Sequence, residues 1–207
     1  YETFVRSATK SPKVWSREDV RKILSYAPTH KWGNYLLAAL YTGMRTEELC
    51  ALMWSDVDLQ ASTILVHQVI AKTGQGEALK PDRTKAVKHQ RIYELRDTTK
   101  SKTERTIALN EDGVILFTGI PKEGIFVFPG ISQPFLTPPQ FAHRFSAVLR
   151  DLNQTLEEDD CVEVLSPHKA RHTYATYLLD GGAPYALCRS SWGTPGLVPH
   201  KYIPMWI

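Results

Sequence analysis

The sequence predicts one mainly α-helical domain with a small antiparallel β-sheet, an α+β fold. Apolar residues recur at helical spacing in five segments, and β-branched residues concentrate in short stretches near the middle of the chain. The 207 residues are enough for one sizeable core, and 43% hydrophobic with 23% charged residues is an ordinary globular composition. Neither an internal repeat nor a second domain is apparent.

Start and stop signals support each predicted helix. SREDVRKILSYAP begins at the N-cap residue Ser16, and KWGNYLLAALYTGM is apolar nearly all round, hence buried, and ends at Gly43. RTEELCALMW follows as a third helix. TPPQFAHRFSAVLRDLNQ opens with Thr137 and two prolines, and SPHKARHTYATYLLDGG stops at paired glycines.

The predicted sheet has three strands, STILVHQVI, RIYEL and RTIAL. The second and third flank RDTTKSKTE, which is predicted to be a basic turn between paired strands. Residues 72–90 are rich in Lys, Gly and Gln and are predicted to form a loop. GIFVFPG is predicted to be a short strand or a buried segment.

Composition restricts the classes of function. A net charge of +3 permits a nucleic-acid partner without requiring one, and the three cysteines lack metal-type spacing. No apolar run approaches the roughly 18 residues of a membrane span, and no signal peptide is visible, so we expect a cytoplasmic protein without a membrane partner. Residues 1–12 are predicted to be a linker. Because the chain begins at Tyr1 without a Met, we expect a fragment of a longer protein.

Arg45 is the first candidate functional residue. In YTGMRTEEL, Gly43 ends one helix and Arg45 opens the next, where a guanidinium beside a helix N-terminus suits an anion. The alternative is a surface arginine that pairs with Glu48.

His168 and Arg171 are the second candidates. Three residues apart, they share one helix face, where imidazole and guanidinium suit a phosphate. The alternatives are an ordinary capped helix, or a metal pair of His168 and His172, which the charge of Arg171 disfavours. In TTKSKTERTIAL, Lys100 is either a solvated turn residue or a proton donor that reaches into a groove.

These three segments, in this order, resemble the catalytic domain of the tyrosine recombinases, the integrases of phages and conjugative transposons. YTGMRTEELCALMWSDVDL resembles their first box, T-G-x-R-x-x-E-L followed by L-x-W-x-D-I/V-D, and SPHKARHTYATYLLDGGA resembles their second, H-x-x-R-H-S/T-x-A. TKSKTERTIAL resembles their lysine hairpin, which usually ends in R-x-I-P-L, although Ala108 takes the proline's place. The resemblance runs from about Val14 to Ala183.

The resemblance implies the tyrosine-recombinase catalytic-domain fold over residues 13–183 and site-specific DNA recombination that integrates or excises a mobile element. The implied reaction passes through a 3′-phosphotyrosine and uses no metal, ATP or other cofactor. The implied partners are double-stranded DNA at attachment sites and further copies of the chain on that DNA, in a bacterial or phage-encoded protein. A separate core-binding domain normally precedes this one in the family.

By the same resemblance, the catalytic residues are Arg45, Lys100, His168 and Arg171. The two arginines clamp the phosphate and His168 is the box histidine. Lys100 is the general acid, with Lys102 as the alternative.

The family's last motif, L-G-H-x-x-I/S-x-T-T-x-x-Y-T/S-H, is missing. In relatives its histidine and nucleophilic tyrosine lie about 23 and 32 residues after the box arginine, which here reaches Thr194 and Ile203. Tyr202 is one residue away, but Pro199 and Pro204 bracket it and oppose a helix there.

A shifted reading frame restores that motif. In this frame each new codon combines the third base of one present codon with the first two bases of the next. The codons of Trp192 and Gly193 then must encode Gly, and those of Met205 and Trp206 must encode Val. His200–Lys201 encodes Gln unless it is a stop, and the looser pairs permit L-G-H-x-x-x-S-T-T-Q-I-Y-T-H-V-D. We hypothesise that residues 184–207 are an aberrant tail, produced by a one-base deletion between about codons 182 and 188.

Two functions follow. The first is an integrase catalytic domain that lacks its nucleophile and cleaves poorly or not at all. The second is a non-catalytic DNA-binding remnant that occupies attachment sites. A weaker third possibility is a helical RNA-binding or scaffold domain in which the boxes arise by chance.

Overall fold

The computed structural model describes residues 13–77, 89–97 and 104–182. In these ranges it contains six α-helices and five β-strands. The helices are α1 (Arg17–Tyr26), α2 (Gly33–Thr42), α3 (Thr46–Ala51), α4 (Glu111–Gly119), α5 (Pro138–Asn153) and α6 (Pro167–Asp180). The strands are β1 (Val57–Asp58), β2 (Thr63–Val66), β3 (Val69–Glu77), β4 (His89–Arg96) and β5 (Arg105–Ala108).

Side chains cap the helix starts. Ser16 Oγ accepts a hydrogen bond from the backbone N–H of Asp19 at 3.1 Å, and the Asp19 carboxylate accepts one from the N–H of Ser16 at 3.0 Å. The start predicted for α1 is therefore confirmed. The sequence reading overlooked α4, although Asn110 caps it by accepting a hydrogen bond from the N–H of Gly113 at 2.8 Å.

Helix α2 lies at the centre of the core. Its residues 36–42 are all buried, which confirms that a helix apolar on every face is enclosed by others. It packs against α4, α5 and α6. The largest fully buried side chains around it are aromatic, and such side chains supply much of the apolar area that a core buries. They are Trp15, Tyr174, Phe117, Phe128, Phe141 and Phe145.

The strands form two antiparallel sheets rather than one. The first has the order β1-β2-β5, with Ile64 opposite Ile107 and Val66 opposite Arg105. The second is a two-stranded ribbon in which β3 pairs with β4. The predicted α+β class is confirmed, but the prediction of one sheet is wrong.

Strand pairing also corrects the predicted lysine hairpin. RIYEL lies in β4 and pairs with β3, whereas RTIAL lies in β5 and pairs with β2, so the segment between them joins two sheets. Burial explains the choice, because Ile64, Val66 and Ile107 share the core while most of β4 is exposed. The predicted loop at 72–90 was also wrong at both ends, since β3 continues to Glu77 and β4 starts at His89.

The predicted short strand or buried segment GIFVFPG pairs with the residues that follow α3. The helix ends at Ala51, earlier than predicted, and the chain then pairs with this segment. The N–H of Trp54 donates to the carbonyl oxygen of Ile125 at 3.0 Å, and the N–H of Val127 donates to that of Leu52 at 2.9 Å. None of the helices in the described ranges is long and apolar enough to cross a bilayer.

Candidate active site

Gly43 sets the direction in which the chain leaves α2. Its φ of 58° is left-handed, and its N–H closes the helix by donating to the carbonyl oxygen of Ala39 at 3.1 Å. A Cβ at this position would lie 2.3 Å from Cδ1 of the buried Tyr174. Both the backbone angle and the contact with α6 therefore require glycine. Two residues later, Arg45 forms the N-cap of α3.

Glu48 organises the arginines around this turn. Its carboxylate is fully buried, with 0% side-chain exposure. Oε1 accepts hydrogen bonds from Arg45 Nη1 at 2.8 Å and Arg105 Nη1 at 2.9 Å. Oε2 accepts from the backbone N–H of Arg45 at 2.8 Å and from Arg105 Nη2 at 2.6 Å. Burial alone would raise the pKa of Glu48, but the hydrogen bonds and charge of Arg105, with Arg45 and Arg171, hold it below its usual range.

Arg171 joins α6 to the same turn. It is only 5% exposed, and its Nη1 donates a hydrogen bond to the carbonyl oxygen of Gly43. Burial lowers the pKa of Arg171 to about 10; the Glu48 carboxylate opposes this, while the like charges of Arg45 and Arg105 add to it. The side chain nevertheless remains a cation at neutral pH.

His168 and His172 lie on the same helix, next to Arg171. Their rings are perpendicular with centroids 4.7 Å apart. Partial burial lowers the pKa of His168, and so do the charges of Arg171, Lys169 and Arg45, while Glu47 opposes the shift. Burial also lowers the pKa of His172, helped by its neighbour His168. Both imidazoles are therefore predominantly neutral at pH 7 and able to take up a proton.

The structure thus brings Arg45, His168 and Arg171 to one place, between the α2–α3 turn and α6. Lys100 and its alternative Lys102 lie outside the described residues. So do Thr194, Tyr202 and Ile203, together with the rest of the tail. The catalytic roles of all these residues stay predictions.

The sequence reading underrated two residues. Glu48 was a box residue and a possible partner of a surface arginine, and Arg105 was part of the lysine-hairpin motif, yet both side chains are buried at the centre of the cluster. The spacing of Glu48 three residues after the N-cap was a usable signal, since a carboxylate there accepts from the N-cap N–H. No local pattern announces Arg105, because its partner is 57 residues away.

A metal pair at His168 and His172 gains no support from its surroundings. Within the described ranges, no group of three or more His, Cys, Asp or Glu side chains is placed to hold a metal ion. The adjacent guanidinium of Arg171 would also repel a cation.

Comparison with known proteins places this arrangement in a family. The model of the phage integrase family matches residues 13–191, most of the chain. The chain belongs to the phage integrase family. Curated relatives of this integrase-family domain include tyrosine recombinases, as its two boxes indicated.

One such relative of the integrase-family domain is the tyrosine recombinase XerD of Rickettsia bellii. It is 26% identical over 183 residues, an alignment that covers 84% of this chain and 53% of XerD. The chain thus spans about half the length of this curated relative.

Solved structures share the fold of the integrase-family domain. The Tn1549 transposon integrase, determined in complex with transposon right end DNA, superposes with a TM-score of 0.70 at 20% sequence identity. The match covers 90% of this chain and 59% of the transposon integrase chain. The lambda integrase catalytic core gives a TM-score of 0.56 at 14% identity, and 98% of that chain is covered, with 90% of this one. The predicted tyrosine-recombinase catalytic-domain fold is therefore confirmed.

Proposed function

We propose that this chain is the catalytic domain of a site-specific DNA recombinase, with residues 13–183 as its catalytic unit after a linker at 1–12. Arg45 and Arg171 hold the non-bridging oxygens of the scissile phosphate. The observation that carries the proposal is the meeting of these two arginines at the Gly43 turn, although 128 residues separate Gly43 from Arg171.

The charge of the cluster supports an anionic ligand. Arg45, Arg105 and Arg171 bring three positive charges, while Glu48 provides the one buried carboxylate among them. Exposed Glu47 adds a further negative charge near His168. Several guanidiniums gathered at one turn suit a phosphate, whose oxygens accept their two-pronged hydrogen bonds.

Besides the two arginines, the proposed chemistry requires a tyrosine nucleophile, a general acid and a histidine. A tyrosine hydroxyl attacks the phosphorus and forms a 3′-phosphotyrosine, while the bond to the 5′-oxygen breaks and Lys100 donates the proton that this oxygen takes up. The arginines stabilise the charge that develops on the non-bridging oxygens. His168, neutral in the free protein, helps to position the reacting groups and can accept the proton that the tyrosine hydroxyl releases. Neither a metal nor another cofactor takes part.

We also propose that residues 184–207 are the family's final motif read out of frame. Two observations support this: the residues matched by the family model end at Ser191, and the shifted frame permits histidine and tyrosine at the family's spacing. The chain as it stands then has no nucleophile in the required place. We expect little or no cleavage from it.

The alternative function is a non-catalytic protein that occupies attachment sites. It is favoured by the combination of an intact arginine cluster and a tail without the final histidine and tyrosine. Under either proposal the partner is double-stranded DNA, and several copies of the chain bind it together. The protein is then bacterial or phage-encoded and acts in the cytoplasm.

The deciding experiment compares two versions of the chain. One base is inserted near codon 185 to restore the frame, and the restored chain is compared with the present one. Each is then incubated with a nicked suicide substrate carrying the element's own attachment site. We expect a covalent protein–DNA adduct from the restored protein alone, lost on Arg45→Ala or Arg171→Ala.

Tyr202→Phe in the unrestored chain is the matched control, and it should change nothing. A covalent adduct formed by the unrestored chain through Tyr202 would contradict the frame hypothesis. A stop codon at His200–Lys201 in the shifted frame of the gene would do the same. If the restored protein bound its site without forming an adduct, the non-catalytic alternative would be favoured.

A further inference from the structure

We infer that Arg105 is a positioning residue that acts on the phosphate site through Glu48 and Arg45. The inference rests on the proposed function, because it concerns how Arg45 is held for a phosphate. Arg105 cannot itself reach a ligand in solution, since its side chain is only 1% exposed. Arg45, with 28% of its side chain exposed, can.

The hydrogen bonds around Glu48 show how the two arginines are linked. Each carboxylate oxygen accepts one hydrogen bond from Arg45 and one from Arg105. Arg105 binds in the two-pronged geometry that fixes a carboxylate most firmly. Glu48 therefore cannot turn towards Arg45, or away from it, without losing both bonds to Arg105. The direction of the Arg45 guanidinium depends on that fixed carboxylate.

Charge gives Arg105 a second effect on Arg45. Without Arg105, the buried Glu48 carboxylate would depend on Arg45 and Arg171 for neutralisation, which would draw the Arg45 side chain inward. With Arg105 as its buried counter-ion, Glu48 is already compensated. Arg45 is therefore not needed as the main counter-ion of Glu48, while its hydrogen bonds to Glu48 still orient it.

Stability alone is a weak explanation for this ion pair. Burying a carboxylate and a guanidinium costs so much desolvation free energy that well-packed apolar residues of similar volume are often as stable or more so. The Glu48–Arg105 pair is almost completely inaccessible, with 0% and 1% side-chain exposure. A role in orienting Arg45 gives the pair a function that an apolar pair could not perform.

A double-mutant cycle in the 207-residue chain tests the inference. Binding of a short fluorescein-labelled DNA duplex is measured by anisotropy for Arg45→Ala, Arg105→Gln and the double variant, over about 50 to 200 mM salt. We expect Arg105→Gln to weaken binding about as much as Arg45→Ala, by about tenfold for a charged hydrogen bond. Each should reduce the magnitude of the salt slope by about 0.9. The double variant should be no weaker than Arg45→Ala alone, because Arg105 acts through Arg45.

Two further variants separate positioning from charge and from folding. Arg21→Gln removes one charge from an exposed arginine of α1 and should leave binding nearly unchanged. Glu48→Leu with Arg105→Met removes the pair without changing the net charge and keeps the core packed, so it should fold. Its melting temperature should stay close to that of the wild type, yet it should bind DNA as weakly as Arg105→Gln.

The outcomes distinguish this inference from the proposed function. If Arg45→Ala binds DNA like the wild type, the phosphate role of Arg45 fails and the positioning role fails with it. If Arg45→Ala weakens binding but the charge-neutral variant does not, the positioning role alone is overturned. Additive losses in the double-mutant cycle would also overturn it, since they would mean that Arg105 acts independently of Arg45.

Discussion

Arg171 on α6 donates a hydrogen bond to the carbonyl oxygen of Gly43, a residue 128 positions earlier in the chain. This bond joins the two sequence boxes directly. It attaches the buried guanidinium to the turn that presents Arg45, so that a change in either element displaces both cations.

Replacing Gly43 with alanine should destabilise the domain. The substitution places a Cβ at a φ of 58° and 2.3 Å from the ring of Tyr174. The left-handed angle alone costs more than about 1 kcal/mol, and the clash with a buried ring adds to it. Urea unfolding should show a lower midpoint for Gly43→Ala. The control is Gly119→Ala, because a Cβ at Gly119 meets nothing within 4 Å. Equal stability of the two variants would contradict the prediction.

Loss of the Glu48 charge should destabilise the domain at neutral pH and much less in acid. Glu48→Gln leaves Arg105 with an uncompensated buried charge, which typically costs about 3–5 kcal/mol. Because the folded-state pKa of Glu48 is lowered from its ordinary value of 4.5, its contribution is complete above that value. As the pH falls, Glu48 is protonated first in the unfolded chain, which has the higher pKa. Its contribution to the free energy of unfolding therefore decreases and is lost once the pH has passed through the folded-state pKa.

Unfolding free energies of wild type and Glu48→Gln, measured from neutral pH to about pH 3, test this. The difference between the two proteins should narrow as the pH falls below the ordinary glutamate range. Glu163→Gln is the control, since its solvent-exposed ion pair with Lys13 should contribute little to stability at any pH. A difference that stayed constant with pH would rule out an ionised Glu48.

DNA binding should strengthen as the pH is lowered from about 7.5 to about 6, around the ordinary histidine pKa. His168 and His172 have lowered pKa values in the free protein. A bound phosphate adds negative charge and raises them, so binding takes up protons and is favoured at lower pH. Anisotropy titrations at constant ionic strength should show this dependence. It should flatten in His168→Gln but persist in His143→Gln, which changes an exposed histidine of α5.

Trp15 should be essential to the attachment of residues 13–16 to α6 and to the segment that precedes it. Its indole N–H donates to the carbonyl oxygen of Glu163 at 2.8 Å, and its own carbonyl oxygen accepts a hydrogen bond from the Tyr177 hydroxyl at 3.1 Å. Trp15→Phe should cost about 1–2 kcal/mol through the lost hydrogen bond. Trp15→Ala should cost about 3–5 kcal/mol, since the side chain is 2% exposed. Denaturant unfolding of both variants tests this, and a stable Trp15→Ala variant would contradict it.

Lys100→Ala in the frame-restored protein should slow cleavage far more than it weakens DNA binding. A general acid acts on the leaving oxygen in the transition state, and removing one typically costs about 10²–10⁴ in rate. Single-turnover cleavage of the suicide substrate and anisotropy on the same DNA separate the two effects. If Lys102→Ala gave this result and Lys100→Ala did not, the general acid would be Lys102.

The sequence by itself determined the helices that carry the site. The Ser16 cap, the apolar faces of α2 and the stop at Gly43 act within a few residues, so their signals are local and readable. The paired boxes likewise specified the family and named Arg45, His168 and Arg171. The hypothesis that residues 184–207 are read out of frame also rests on the sequence alone.

Only the tertiary structure decided how the strands pair and what holds the arginines. RIYEL and RTIAL both have β character, but which neighbour each pairs with depends on where apolar side chains can be buried, and that is a property of the whole core. The Arg105–Glu48 ion pair and the bond from Arg171 to Gly43 span 57 and 128 residues. No local pattern encodes such contacts, because the free energy that fixes them arises only when distant segments exclude water together.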